Sequence, residues 1–163
     1  MIVPWFMWTA SSMVEEIERE RPALLPRLKV IDFNPETVAK LRARGIAVIY
    51  GDVSQRDVLE HAGIGEASVI VCSLSDSVLR GASNLRMLRQ LRSLTERAEI
   101  IVHAERLDDA AGLYAAGASY VVTPRLLEAR ELLDVLDAVD NHLIAEKTCE
   151  QLARLENRSE VIP

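Results

Sequence analysis

Apolar runs of four to seven residues alternate with amphipathic stretches along most of this chain. The clearest case is the stretch 28–52, LKVIDFNPETVAKLRARGIAVIYGD, in which one apolar run ends at Asp32 and a second ends at Gly51 and Asp52. Short apolar runs that stop at polar residues are typical of buried strands. The stretch therefore predicts two neighbouring strands with one segment between them.

The segment between these two runs carries the signals of a helix. Asn34 is a favoured N-cap residue, and Pro35 follows at the first helical position, where its missing N–H loses no hydrogen bond. Gly45 is typical of the glycine that ends a helix. Strand, helix and strand joined by short connections predict a right-handed βαβ unit of a parallel sheet.

The same alternation continues through the rest of the chain and predicts a Rossmann-like α/β fold, a doubly wound parallel sheet with a C-terminal helical extension. The predicted strands are residues 3–8, 28–33, 46–50, 68–74, 100–104 and 120–123. The predicted helices are residues 12–21, 35–44, 55–62, 78–93, 108–116 and 125–156.

Three parts of the chain follow from this pattern. Residues 1–27 are a degenerate or truncated first βα unit, residues 28–124 a Rossmann-like domain, and residues 125–163 a C-terminal helix for packing or dimerisation. The apolar start, residues 1–13, is shorter than the 20 or so residues of a membrane span. We favour a strand there over the stump of a membrane segment or an interfacial anchor.

The C-terminal helix carries an apolar seam. Its members follow steps of three and four, so they share one face of the helix. The seam predicts packing on the domain's own sheet or contact with a second copy. We expect the last residues, 157–163, to be loose. The members of the seam are Ala129, Leu132, Leu136, Val139 and Leu143.

Composition narrows the function classes. The 163 residues are 49% apolar, enough for a full core, and the net charge of −6 disfavours general binding to nucleic acid. Cys72 lies in an apolar run and is expected to be a buried small hydrophobe, which fits a reducing cytosol. The three histidines form no metal pattern, although His103 ends a predicted strand, at the functional edge of such a sheet.

Four motifs in one order resemble the regulatory nucleotide-binding domain of potassium transport systems, called the KTN, RCK or TrkA-N domain. The closest version is the cytosolic domain of Kef-type monovalent cation:proton antiporters. The resemblance covers residues 28 to about 135. The motifs are VIDFNPE at 30–36, VIYGD at 48–52, SLSD at 73–76 with Asn84 after it, and LYAAGASYVVTPRLL at 113–127.

The resemblance implies that residues 28–124 are a Rossmann-like nucleotide-binding regulatory domain with a site for NAD(H) or an adenine nucleotide (AMP, ADP or ATP). Asp32 would accept hydrogen bonds from the ribose hydroxyls, Asp52 would lie near the adenine, Ser73 and Leu74 would line the adenosine pocket, and Asp76 and Asn84 would border it. The full set of implied binding residues is Asp32, Asn34, Gly51, Asp52, Ser73, Leu74, Asp76 and Asn84.

Each of these residues also has a structural interpretation. Asp32 can flank the following helix and share the capping of Asn34, and Asp52 can cap the helix after it. In this interpretation the side chains of Ser73, Ser75 and Asp76 stabilise a turn after the strand and bind no ligand. Both interpretations stay open at this point.

The glycine-rich loop of dinucleotide-binding folds is missing. The first glycine of that loop lies about 23 residues before the ribose acid, and counting back from Asp32 puts the three glycine positions at Thr9, Ser11 and Val14. Their Cβ atoms would occupy the space of the diphosphate, and Val14 would push the helix off the sheet. Free helix N–H groups and serine hydroxyls could still hold a monophosphate.

The chain shows no motif of an enzyme, and we expect none of its residues to be catalytic or to bind a metal. The resemblance implies ligand-gated control of an antiporter or channel, a membrane cation transporter as partner, a homodimer, and a cytoplasmic location at the inner face of the membrane. The alternative is a dimerising module that has lost its nucleotide. A small NAD-dependent oxidoreductase is a third, less favoured interpretation.

Overall fold

Six parallel strands form one sheet in this computed structural model, which describes residues 1–4, 7–72 and 83–161. The order across the sheet is β3-β2-β1-β4-β5-β6, so the chain reverses its direction of travel between β1 and β4. This is the doubly wound arrangement that the sequence predicts. The strands are β1 (Ile2–Pro4), β2 (Lys29–Asp32), β3 (Ala47–Tyr50), β4 (Val69–Cys72), β5 (Glu99–His103) and β6 (Tyr120–Val122).

In the described ranges, one α-helix follows each of the first five strands and two follow β6. Short 3₁₀ segments occupy Pro22–Arg27 and Ile64–Glu66. The α-helices are α1 (Met7–Glu20), α2 (Pro35–Ala43), α3 (Arg56–His61), α4 (Asn84–Leu94), α5 (Asp109–Ala115), α6 (Pro124–Asp140) and α7 (Ile144–Leu155).

The core has two layers because successive side chains of a strand point to opposite faces of the sheet. Val30 belongs to the layer under α1 and α2, whereas its neighbour Ile31 belongs to the layer under α3, α4 and α5. Cys72 is fully buried in the second layer, as expected. The core therefore fixes the register of the strands and, with it, which residues reach the carboxyl edge of the sheet.

The predicted βαβ unit is confirmed in its local chemistry. The Asn34 side chain accepts a hydrogen bond of 2.9 Å from the backbone N–H of Glu36 and so caps α2. Gly45 adopts a φ of 76° just after the helix, and the N–H of Ile46 donates to the carbonyl of Leu41 at 3.1 Å. This is the Schellman arrangement, which favours glycine at the left-handed position.

The prediction for the first βα unit is wrong in its boundaries. The strand ends at Pro4 instead of residue 8, and α1 begins at Met7 instead of residue 12. The spacing of Ala10, Val14 and Ile17 puts all three in the core layer beneath α1, so the later part of the apolar segment belongs to a helix face. The strand itself is present at the centre of the sheet, between β2 and β4.

The C-terminal extension also differs from the prediction. It forms two helices instead of one, because the chain turns after Asp140 and His142 adopts a φ of 59°. The seam does not pack on the sheet: Leu132 and Leu136, for example, are 59% and 58% exposed. Residues 157–161 are not loose, since they contact α1 and α2. Of the helices in the described ranges, none has the length and hydropathy that a membrane span requires.

Candidate functional site

Two of the acids that the sequence singles out lie together at the carboxyl edge of the sheet. Asp32 ends β2 and pairs in register with Tyr50 of β3. The backbone N–H of Gly51 donates to the carbonyl oxygen of Asp32 at 3.0 Å. Asp52 follows directly. The parallel register thus brings Asp32, Gly51 and Asp52 to one place on this edge.

Asp32 is a buried carboxylate with little local compensation. Its side chain is 6% exposed, and its Oδ1 accepts a hydrogen bond of 2.5 Å from the backbone N–H of Asn34. Burial raises the pKa of Asp32 from 3.8 to about 6, and the bond from Asn34 opposes that rise. Within the described part of the chain, no hydrogen bond reaches Oδ2. Donors from outside the chain would therefore stabilise the charged form.

Asn34 and Asp52 are exposed, and each makes a local bond. Asn34 caps α2, as described above. The Oδ1 of Asp52 accepts a hydrogen bond of 2.8 Å from the backbone N–H of Ser54. The structural interpretation of Asp52 as a helix cap is wrong, because α3 begins only at Arg56 and Gln55 stands at its N-cap position. Asp52 instead closes a turn, and no hydrogen bond from a described residue reaches its second carboxylate oxygen.

Gly51 has a packing reason to be glycine. A Cβ atom at this position would lie 2.8 Å from Cγ1 of Val58, which is closer than carbon atoms approach in proteins. The missing side chain lets α3 pack against the end of β3. This observation explains Gly51 without a ligand, and its contact with a nucleotide stays a prediction.

Replacement of Gly51 with alanine is expected to lower the free energy of unfolding by about 1–2 kcal/mol, because the added methyl overpacks against Val58. In a Val58→Ala background the same change should cost almost nothing, as the crowded atoms are gone. Chemical denaturation of the four proteins measures this coupling. Gly112→Ala is the matched control, since a Cβ there meets nothing within 4 Å. Equal losses in both backgrounds would contradict the packing explanation.

The three positions predicted to replace the glycines lie inside α1 instead of in the turn before it. Thr9, Ser11 and Val14 are the third, fifth and eighth residues of that helix. Val14 is fully buried in the core, so it does not push the helix off the sheet. Residues 5 and 6, between β1 and α1, lie outside the described residues. The absence of glycine is independent of this shift, because Gly45 is the first glycine of the chain.

The remaining predicted residues fall elsewhere or outside the description. Ser73, Leu74 and Asp76 lie outside the described residues. Asn84 is buried as the first residue of α4, after the N-cap Ser83. It lines a cavity of about 250 Å³ between α4, α5 and the end of β5, whose wall consists of Ser83, Asn84, Leu85, His103, Ala104, Asp108, Asp109, Gly112 and Leu113.

His103 is the titratable group at the strand side of this cavity. Burial lowers its pKa below 6.5, and the charge of Glu105 opposes the shift. The imidazole is therefore neutral at pH 7. The sequence drew attention to His103, but it missed Asp108 and Gly112. The pair of acids at 108–109, just after the strand that His103 ends, was the available signal.

The Asp32 edge and the Asn84 cavity lie on opposite sides of the point where the strand order reverses. Strands β1 and β4 separate β2 from β5. Three strand spacings of about 4.8 Å put the two places on the order of 14 Å apart. In open α/β sheets this reversal forms the crevice in which ligands bind. The arrangement can take an extended ligand at both ends or a smaller one at the Asp32 edge.

Comparison with known families gives a match over most of the chain. A family model described as the TrkA-N domain matches residues 9–124. The glutathione-regulated potassium-efflux system protein KefC of Salmonella newport is 31% identical over 91 residues. The aligned part is 56% of this chain and 14% of KefC, so the chain spans a small part of that relative's length. The family match confirms the resemblance inferred from the four motifs.

Solved structures share the fold. The TrkA-N domain of the inner membrane protein ybaL from Escherichia coli has a TM-score of 0.71 and 21% identity, covering 83% of this chain and 94% of that one. The GsuK channel bound to NAD has a TM-score of 0.59 and 24% identity, covering 74% of this chain and 21% of that one. These likenesses confirm the Rossmann-like architecture.

Proposed function

Because this chain belongs to the TrkA-N domain family, we propose that it is a nucleotide-sensing regulatory domain of a monovalent cation transport system. The ligand is NAD(H) or an adenine nucleotide. It binds at the carboxyl edge of the sheet, and its occupancy controls a membrane antiporter or channel on the cytoplasmic side. The chain itself performs no catalysis in this proposal.

Asp32 is the observation that carries the nucleotide part of the proposal. A carboxylate this far buried is costly unless donors surround it, and Asp32 receives one backbone N–H. The two hydroxyls of a ribose would supply the missing donors. Asp32 also lies at the end of the strand next to β1, where folds of this class hold the ribose.

The phosphate is proposed to lie at the start of α1. This helix has 14 residues and begins directly beyond β1, so its first N–H groups face the carboxyl edge of the sheet. No glycine precedes this helix in the sequence, and residues with a Cβ atom leave a diphosphate less room than the glycines of a glycine-rich loop do. A mononucleotide at Asp32 and α1 needs the least room. A dinucleotide would place its second half toward the Asn84 cavity.

The transport part of the proposal rests on relatives. KefC is named as a potassium-efflux system protein, and GsuK is named as a channel. A domain of this family needs a partner that moves ions, and a membrane cation transporter fits that role. The ligand can act only through its different affinities for two arrangements of the domain.

The exposed seam of α6 favours a homodimer, and it also favours the second candidate function. Leu132, Leu136 and Val139 are about half exposed or more, a patch that a second copy would cover. A module that dimerises through α6 without any nucleotide would explain the same patch. The two candidates differ in whether the Asp32 edge binds a ligand.

A thermal titration separates the two candidates. A nucleotide at a hundredfold excess over its dissociation constant stabilises a single-site protein by about 2.7 kcal/mol. For a domain of this size that is a rise in Tm of about 5–10 °C. We expect such a rise with at least one of NADH, NAD, AMP, ADP and ATP.

Asp32→Ala and Asp52→Ala are the matched pair for this titration. Loss of the rise in Asp32→Ala, with a smaller effect in Asp52→Ala, supports the proposed site, because Asp52 is exposed and lies beside the ribose position. No rise with any nucleotide in the folded protein would contradict nucleotide sensing and leave the dimerising module as the better candidate.

A further inference from the structure

Residues 157–161, the C-terminal latch, pack along α1 and α2. Val161 is 1% exposed and belongs to the apolar layer that contains Val14 of α1 and Leu41 of α2. A side chain buried to this degree, next to the chain's end, fixes the segment in place. The latch therefore has an apolar anchor on the lobe formed by residues 1–122.

Charged and polar groups flank this anchor on the α1 side. The Arg158 guanidinium pairs with Glu16 of α1 and with Glu160 of the latch itself, the latter at 2.8 Å. The hydroxyl of Ser11 donates to Oε2 of Glu160 at 3.0 Å. Pairing with Arg158 lowers the pKa of Glu16. The latch thus complements the charges along α1.

Two arginines of the lobe bind the backbone of the C-terminal segment. Arg44, just after α2, donates to the carbonyl oxygen of Ser159 and, at 3.2 Å, to its hydroxyl. Arg19, in the last turn of α1, donates to the carbonyl oxygens of Arg154 and Glu156 at 3.2 and 3.3 Å. The second pair of bonds satisfies carbonyls at the end of α7.

The helical hairpin α6–α7 depends on these contacts for its position. The structure describes every residue of both helices, and none of them is buried. Lys147 pairs with Glu131 at 3.3 Å, which joins the two helices to each other. In the described ranges, the hydrogen bonds and ion pairs that join residues 125–161 to residues 1–122 all involve residues 154–161.

We propose that the C-terminal latch is a releasable strap that holds the α6–α7 hairpin against α1 and α2. It has one apolar anchor, and its ion pairs are partly exposed, so salt weakens them. When the latch is released, the two Arg19 bonds at the end of α7 and the chain connection through β6 remain in the described ranges, and the hairpin with its apolar seam gains freedom to reorient. This assignment does not depend on nucleotide binding.

A distance measurement between the hairpin and α2 tests the proposal. Cys149 on α7 is exposed and Cys72 is buried, so spin labels can be placed selectively at Cys149 and at an added cysteine, Lys40→Cys, on α2. We expect one short, narrow distance distribution at low salt. The substitutions Val161→Asp and Arg158→Glu should each shift much of it to longer, broader distances, and 1 M salt should do so in part.

Two controls separate release from damage. Val161→Leu keeps an apolar anchor, and Arg130→Glu makes the same charge change at an exposed position of α6 that, in the described ranges, has no hydrogen bond or ion pair with residues 1–122. Both should keep the short distance. A short distance that persists in Val161→Asp and in Arg158→Glu, while circular dichroism shows the fold intact, would overturn the proposal.

Discussion

Asp32→Asn is expected to stabilise the ligand-free protein at pH 7 by about 1–2 kcal/mol and to remove most of the nucleotide-induced rise in Tm. The displacement of the Asp32 pKa from 3.8 to about 6 corresponds to about 3 kcal/mol of penalty on the buried charge. Asparagine removes the charge and can still accept the hydrogen bond from the Asn34 N–H. It remains a buried polar group, so only part of the penalty is recovered.

The stabilisation by Asp32→Asn depends on pH, and the raised pKa of Asp32 determines the direction of that dependence. Above about pH 6 the carboxylate is charged in the folded and the unfolded protein, and the folded state bears the full penalty. Below the unfolded value of 3.8 the group is neutral in both states and the penalty is absent. The difference in unfolding free energy between Asp32→Asn and the unchanged protein should therefore decline as the pH falls from 6 to below 4.

Urea unfolding at pH 7 and at pH 4 measures this difference. Asp52→Asn is the control, because it removes the same charge from an exposed position and should change stability by less than about 0.5 kcal/mol. A destabilised Asp32→Asn protein at pH 7 would show that the carboxylate has a favourable structural partner, which would weaken the case for a ribose ligand.

Arg44→Met is expected to lower the free energy of unfolding by about 2–3 kcal/mol, more than any other substitution named above. Arg44 lies 2.9 Å from Glu18 and 3.5 Å from Glu15, whose side chain is 6% exposed. Removal of one partner leaves the other charge buried, which costs 3–5 kcal/mol in fully buried pairs. The expected loss is smaller here because the Arg44 side chain is 20% exposed. The bonds to Ser159 are lost as well.

Thermal unfolding should show a fall in Tm of about 5–10 °C for this variant. Arg42→Met is the matched control, since Arg42 is exposed in the last turn of α2, two residues before Arg44. Adding Glu15→Gln to Arg44→Met should recover part of the loss, because it removes the buried Glu15 charge that has lost its partner. No recovery would mean that Arg44 acts through the C-terminal latch more than through Glu15.

The sequence predicts the middle of the fold well because local chemistry fixes it. Asn34, Pro35 and Gly45 each favour one position in a helix, and the apolar runs around them have clear ends. The start of the chain has no such signals between Pro4 and Ser11, so its apolar residues suit a strand or a helix equally. The core position of Ala10, Val14 and Ile17 decides the matter, and that is a tertiary effect.

The candidate site is predictable only where one strand end defines it. Asp32 and Asp52 follow directly from adjacent strands, so the sheet brings them together. Asn84 lies near His103 instead. Asn84 begins α4, the helix after β4, and β4 lies beside β5, the strand that His103 ends. Its place therefore depends on the strand order, which the residues around Asn84 do not indicate. The latch had no local signal at all: Arg158 and Glu16 are 142 positions apart, and only the folded chain joins them.

The central strand β1 has a consequence for the cohesion of the sheet. It has three residues and is the element through which the β2–β3 half of the sheet meets the β4–β6 half. Its paired register extends over three residues on the β2 side and includes Ile2 with Ile70 on the β4 side. The loss of one residue pair at β1 therefore removes a larger share of the pairing there than it would between β2 and β3 or between β4 and β5, whose registers extend over four residues.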